Sequence, residues 1–293
     1  MSSMKPAGRL TTSPLLSDIS TRLASVSDTP ALDASVLIAR IVDKPRSWVM
    51  AHPELPLTLE QQNQLNDSLA RLENGEPFPY VLRRWEFFGL EFEVTPDVLI
   101  PRPETELLVE KAIAWLQKNP NKRSVADIGT GSGAIAVSLA FNVQDANILA
   151  TDISSKALQV AKRNAVKHNA DNRIEYFECD LLPDQSKIAN RKSSIDLLCA
   201  NLPYIPTKTL NKLPIFGREP TLALDGGEDG LQLFRKLLNE VPSWLAPNAL
   251  LLLEIEATLG ESATQLARQH FPNASITLHQ DLTGRDRLLE IQT

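Results

Sequence analysis

The spacing of apolar residues changes character along this chain. Up to about residue 75 it is helical. Leu15, Leu16, Ile19 and Leu23 share one face, and Leu32, Val36, Leu37, Ile41 and Val42 form a second stripe. Thr58 and Gln61 stand in capping-box positions at the head of a third helix carrying Leu65, Leu69 and Leu72, which ends near Gly75. Residues 76–80 are a proline-rich connector. Over 85–95 the period drops to two around Gly89, which predicts a β-hairpin. The two prolines of 100–106 keep that segment extended, and Glu104 and Glu106 then open a helix whose positive end they complement.

From residue 124 strands and helices alternate. The pattern predicts strands at 125–128, 147–152, 173–179, 195–200, 249–255, 275–279 and 287–291. It predicts helices at 134–141, 156–168, 231–245 and 260–270. Repeated βα units imply a mostly parallel sheet covered on both faces. The short 280–286 link predicts that the last two strands form an antiparallel hairpin. The expected division is a helical domain over 1–75, a hairpin linker over 76–100 and a catalytic α/β domain over 101–293.

Composition narrows the chemistry. The chain has 293 residues, 43% of them hydrophobic, enough for one large core or two domains. Its 30 basic against 36 acidic residues argue against a broad nucleic-acid footprint. The densest basic cluster, 187–192, reads as a solvated loop. Cys179 and Cys199 end apolar runs and read as small buried hydrophobes in a reducing compartment. The four histidines are scattered, so no metal site is expected. No apolar run has membrane-spanning length, and the run 249–253 stops at Glu254. Residues 1–16 lack a secretory signal's apolar core, although their Ser, Thr and missing acids leave a short targeting segment open. A soluble, cytoplasmic monomer is expected, with no membrane partner.

Two motifs carry chemistry. Asp127, Gly129, Thr130, Gly131, Ser132 and Gly133 join the first strand of the repeat to its helix. Glycines there permit a tight turn and close backbone approach by a ligand. Asp152 ends the next strand, where a carboxylate can accept from both hydroxyls of a ribose. Asp180 and Leu181 follow the third strand, and Asp180 is placed to meet an adenine amino group. Asn201, Leu202, Pro203 and Tyr204 follow the fourth. An uncharged amide acceptor, a proline that extends the residue before it, and an aromatic face suit a planar NH2 group about to be alkylated. NAD and S-adenosylmethionine (SAM) both use glycine turns with a ribose acid. The D-x-G-x-G-x-G spelling and the Asn-x-Pro-Tyr element favour SAM.

These motifs together resemble class I SAM-dependent methyltransferases, with a Rossmann-like sheet. More closely, the chain resembles the HemK/PrmC family of release factor glutamine methyltransferases. The resemblance runs from about residue 76 to the C-terminus. It is carried by 100–106 (IPRPETE), 127–133 (DIGTGSG), Thr151 to Ser154, and 201–205 (NLPYI). Glu219-Pro220, Ala223-Leu224, Gly226-Gly227, Gly230-Leu231, Asp281, Gly284 and Arg287 extend it. It implies a protein-(glutamine-N5) methyltransferase, acting on the Gly-Gly-Gln loop of peptide chain release factors in translation termination. SAM would be converted to S-adenosylhomocysteine, and direct nucleic-acid binding is not expected. It implies further that Pro103, Glu104 and Thr105 flank the cofactor, that the Leu202 carbonyl meets the substrate amide, and that Glu219 and Pro220 shape a loop over the substrate. The helical N-terminal region matches the family's small substrate-recognition domain. Leu202 departs from the family's usual proline. Asn-Leu-Pro-Tyr is also the spelling in ribosomal RNA adenine dimethyltransferases. An adenine-amino methyltransferase of RNA or DNA, a glutamine methyltransferase of a ribosomal protein, and a non-catalytic module on the same fold are therefore the alternatives.

Overall fold

The computed structural model describes residues 12–184 and 194–293. Two readings, the start of the chain over 1–11 and the basic cluster at 187–192, fall outside the described residues. The chain divides into two compact units, one reaching to Arg83 and one spanning Arg84–Thr293.

The first unit is helical: α1 (Thr12–Leu23), α2 (Pro30–Ile41), α3 (Arg46–Ala51), α4 (Leu59–Glu73) and α5 (Phe78–Leu82). Leu15, Ile19 and Leu23 of α1 pack with Leu65, Leu69 and Leu72 of α4 in one core. The capping box forms: the Gln61 N–H donates to Thr58 Oγ1 at 3.2 Å, and the Thr58 N–H donates to Gln61 Oε1 at 2.9 Å. The α2 stripe is different from the one expected. Leu32 is 43% exposed, whereas Ala34, Leu37 and Ile38 are buried. Ala34 is buried in the same core as α1, and a stripe chosen by side-chain size misses it. Helix α5 replaces part of the expected connector. Its prolines sit at the cap and in the first turn, where a missing N–H costs nothing.

The second unit begins with the hairpin β1 (Trp85–Phe87) and β2 (Leu90–Phe92). Phe88 and Gly89 both have positive φ, as a tight two-residue hairpin turn requires. Helix α6 (Glu106–Lys118) follows, and Glu106 accepts the Phe88 N–H at 2.8 Å, so this acid also holds the hairpin turn.

The sheet contains β3 (Ser124–Ile128), β4 (Asn147–Asp152), β5 (Ile174–Glu178), β6 (Ile195–Ala200), β7 (Leu245–Glu254), β8 (Ser275–Gln280) and β9 (Asp286–Gln292). Its order is β5-β4-β3-β6-β7-β9-β8, with β3 to β7 parallel and β9 antiparallel to both neighbours. The last two strands do pair antiparallel. Strand β9 also inserts beside β7, leaving β8 at the edge. Burial accounts for the interior place of β9. Leu288 packs into the core on one face while Leu289 and Ile291 pack into the core on the other. A strand buried on both sides belongs inside a sheet. Helices α6, α7 (Ala134–Asn142) and α8 (Ser155–Lys167) contribute to the first of these cores, and α10 (Gln232–Glu240) and α11 (Gly260–His270) to the second. A short α9 (Thr207–Leu210) lies between β6 and α10. The helix expected over 231–245 stops at Glu240, where a 3-10 turn, Val241–Trp244, carries Pro242 near its start, and β7 begins four residues earlier than expected, at Leu245.

Candidate active site

Register builds the site. Ile128 pairs with Thr151 on one side and Ala200 on the other. Gly129 and Asn201 are therefore the next residues beyond the carboxyl ends of β3 and β6, beside Asp152, the last residue of β4. The strand order reverses at this point, where open α/β sheets bind ligands. A cavity of about 390 Å³ opens there, lined by Gly129 to Ser132, Asp152, Asp180, Leu181, Asn201, Leu202, Pro203 and Thr105.

The glycine turn is held by β4. The Gly129 and Thr130 N–H groups donate to the Thr151 carbonyl at 2.9 and 2.8 Å. The Gly131 N–H donates to Asp152 Oδ2 and the Ser154 N–H to Asp152 Oδ1, both at 2.9 Å. Burial raises the pKa of the Asp152 carboxyl above its ordinary value, and these N–H groups oppose the shift. Each oxygen of Asp152 keeps a second lone pair for a ligand. Asp180 lies on the wall and ion-pairs with Lys236. Leu181 sits in the left-handed region at φ 67°, and its carbonyl accepts from Thr151 Oγ1 at 2.7 Å. Strain of this kind persists where surrounding structure enforces it.

Five expected site residues do not line the cavity. Asp127 is fully buried, with Oδ2 accepting from Thr130 Oγ1 at 2.6 Å and the Ala136 N–H at 3.1 Å. It shapes the turn and the start of α7 from beneath. Burial pushes its carboxyl up to about 7, against the pull of those two bonds. Gly133 caps α7, where a Cβ would lie 3.1 Å from Ala161. Residues 103–105 form a 3-10 turn, whose three-fold repeat brings only Thr105 to the cavity and leaves Pro103 and Glu104 exposed. Tyr204 turns away: its hydroxyl donates to Glu254 Oε1 at 3.3 Å. Its backbone is gripped by Gly226, where a Cβ would stand 2.7 Å from the Tyr204 Cα.

Asn201 faces the cavity with a defined orientation. Its Nδ2 donates to Thr105 Oγ1 at 3.0 Å. Leu202 is buried, and a Cβ on Gly129 would be 3.2 Å from its Cδ2, so packing against the glycine turn holds it. Glu219 ties two walls together, with Oε2 accepting the Ile100 N–H at 3.0 Å and Oε1 an Arg102 guanidinium N–H at 2.5 Å.

The sequence reading missed several features. Residues 96–99, Leu222 and Leu233 also line the cavity. Cys179 is a half-buried cavity residue, unlike buried Cys199, because it follows the edge strand β5. Glu254 is buried at the end of β7; burial pushes it up to about 7, while Thr105, Arg287 and Tyr204 draw it down. A carboxylate closing an apolar strand was the available signal for it. Among the described residues, no group of three His, Cys, Asp or Glu could hold a metal, and no helix is long and apolar enough to cross a membrane.

The PrmC N-terminal domain model matches residues 14–82, and the methyltransferase small domain model matches residues 104–211. The release factor glutamine methyltransferase of Coxiella burnetii is 39% identical over 277 residues, covering 93% of this chain and 95% of that protein. The chain belongs to the release factor glutamine methyltransferase family. Another member, from Moorella thermoacetica, is 40% identical and covers 88% of this chain and 89% of its own length. At the level of fold alone, the chain is similar to the T. thermophilus 16S rRNA N2 G1207 methyltransferase in complex with AdoMet and guanosine. That likeness has a TM-score of 0.51 at 16% identity, and covers 72% of this chain and 49% of the other. The family match favours glutamine over the adenine alternative raised by the Asn-Leu-Pro-Tyr spelling.

Proposed function

We propose that this enzyme methylates the side-chain amide nitrogen of the glutamine in the Gly-Gly-Gln motif of peptide chain release factors, with SAM as donor. The observation that carries the reading is the placement of Asn201 in the same cavity as the glycine turn and Asp152. The residues present fit SAM. Asp152 has free lone pairs for ribose hydroxyls, and Gly129 and Gly131 have no Cβ to block approach to the turn. Asp180 lies on the same wall for an adenine amino group. When bound, SAM supplies an activated methyl and leaves as S-adenosylhomocysteine.

An amide nitrogen is a poor nucleophile because its lone pair is delocalised. Asn201 Oδ1 accepts one hydrogen of the substrate amide, and the Leu202 carbonyl accepts the other. Both bonds strengthen as positive charge grows on nitrogen, which stabilises the transition state over the ground state. Fixed alignment contributes up to about 7–11 kcal/mol in favourable cases. The methylated amide is a strong acid and loses its proton to water without a dedicated base. Leu202 serves in place of proline because its carbonyl is the same, Pro203 keeps it extended, and packing on Gly129 holds it.

The helical unit serves substrate recognition. The domains are 1–75 and 101–293, joined by 76–100, and the enzyme works in the cytoplasm as a monomer without direct nucleic-acid contact. The deciding experiment incubates the enzyme and SAM separately with release factors, ribosomal protein and RNA, then locates any methyl by mass spectrometry. Methyl on the release factor glutamine is expected. Methyl on RNA alone would overturn the reading.

A further inference from the structure

Asn201 meets Thr105 through its nitrogen, yet a hydroxyl could equally donate to its oxygen. The two ends of a carboxamide are nearly isosteric, so the neighbour's polarity decides which faces the cavity. Thr105 has one proton. If that proton points at Asn201, the amide turns over and presents NH2 to a substrate that itself presents NH2. The buried Glu254 carboxyl adjoins the Thr105 hydroxyl. Its Oε1 takes the Tyr204 hydroxyl at 3.3 Å, while its buried Oε2 has no hydrogen-bond partner among the described residues. A buried acceptor left empty is costly, and the Thr105 proton is the donor beside it.

We infer that Glu254 is a positioning residue: it draws the Thr105 proton to itself, which makes Thr105 an acceptor and holds Asn201 with its oxygen toward the substrate. The same carboxylate anchors the Tyr204 hydroxyl, so both ends of the Asn-Leu-Pro-Tyr element depend on one buried acid. The inference rests on the glutamine-amide reading above only for its kinetic consequence; the orientation of Asn201 is a property of the enzyme alone.

The test compares Thr105→Val, Thr105→Ser, Glu254→Leu and the Thr105→Val/Glu254→Leu pair in the full chain, above pH 7, where the Glu254 carboxyl, pushed up to about 7, is ionised. Thr105→Val should lower kcat at saturating SAM at least about tenfold, and Thr105→Ser should restore most of the loss. The double variant should be little worse than Thr105→Val, because both changes break one relay. Multiplicative losses, or near-normal kcat in Thr105→Val, would overturn the inference. If Glu254→Leu fails to fold, Glu254→Met, which keeps the length of the side chain without its acceptor, takes its place, and parent-like kcat and Asn201 protection in it would overturn the inference. A substrate-free measurement separates this from the proposed activity. The Asn201 side-chain NH2 signals in NMR should show hydrogen-exchange protection in the parent and in Thr105→Ser, and lose it in Thr105→Val. Equal protection in all three would sink the relay even if the release factor is methylated; protection with no glutamine methylation by the parent would sink only the substrate assignment.

Discussion

Single side chains divide the labour at this site by where their hydrogen bonds go. Asn201 uses its nitrogen on Thr105 and keeps its oxygen for a ligand. Asn201→Ala should therefore cut methyl transfer by about a hundredfold or more, the scale for a lost preorganised hydrogen bond at a reacting centre. SAM affinity should stay within about twofold by titration calorimetry; a parallel loss of SAM binding would reassign Asn201 to the cofactor. Asp152 accepts from the Gly131 and Ser154 N–H groups and still offers lone pairs to the cavity. Removing hydrogen bonds to a charged group costs about 1.5–3 kcal/mol, so Asp152→Ala should weaken SAM binding by roughly ten- to hundredfold. Unchanged affinity would leave Asp152 only as the clamp of the turn. Both residues were legible because a polar side chain closing an apolar strand has few other uses. Tyr204 was not legible in its role: local spacing says a ring follows the strand, and only the approach of Glu254 from β7 turns its hydroxyl away from the cavity.

At the level of elements, the Asn-Leu-Pro-Tyr segment is held by a second loop. The Ile205 N–H donates to the Leu224 carbonyl at 3.1 Å, the Gly226 N–H donates to the Ile205 carbonyl at 2.9 Å, and Thr207 Oγ1 donates to Asp225 Oδ1 at 2.6 Å. Gly226→Ala pushes a methyl to within 2.7 Å of the Tyr204 Cα, which is backbone and cannot swing aside. It should destabilise the protein by about 1–3 kcal/mol, read from the urea midpoint, and lower kcat as the segment shifts. An unaltered midpoint and rate would mean the loop yields freely. The strands, hairpin and capping box were readable from period and cap chemistry. The insertion of β9 was not, because a pattern of buried positions says that a strand is interior without saying between which neighbours.

For the whole molecule, buried acids set how stability varies with pH. Burial lifts Asp127 and Glu254 from about 4 in the unfolded chain to about 7 in the folded one. Between those values the folded state holds protons that the unfolded state has released. Their contribution is therefore fully present below about pH 4 and declines as pH rises to about 7. Asp281 acts oppositely: the Thr283 hydroxyl and the Arg285 N–H pull it down to about 2, so its contribution is present above about 4 and lost as pH falls toward 2. The windows separate. Asp127→Asn keeps an oxygen for Thr130 and Ala136 and cannot ionise. It should flatten the fall in melting temperature between about pH 4 and 7. Curves that stay parallel to the parent across that window would remove Asp127 as a contributor.

By itself the sequence determined the fold class, the helical first unit, the glycine turn and the placement of Asp152 and Asn201 at the ends of their strands. Each follows from local rules: apolar period, cap chemistry, and polar residues at strand ends. The tertiary structure alone decided that Asp127 lies beneath the turn, that Thr105 is the one residue of its 3-10 turn at the cavity, and that Glu254 meets Thr105 and Tyr204. These depend on which strands become neighbours and which way a short turn faces. Such contacts join residues far apart in the chain, whose pairing no local pattern encodes.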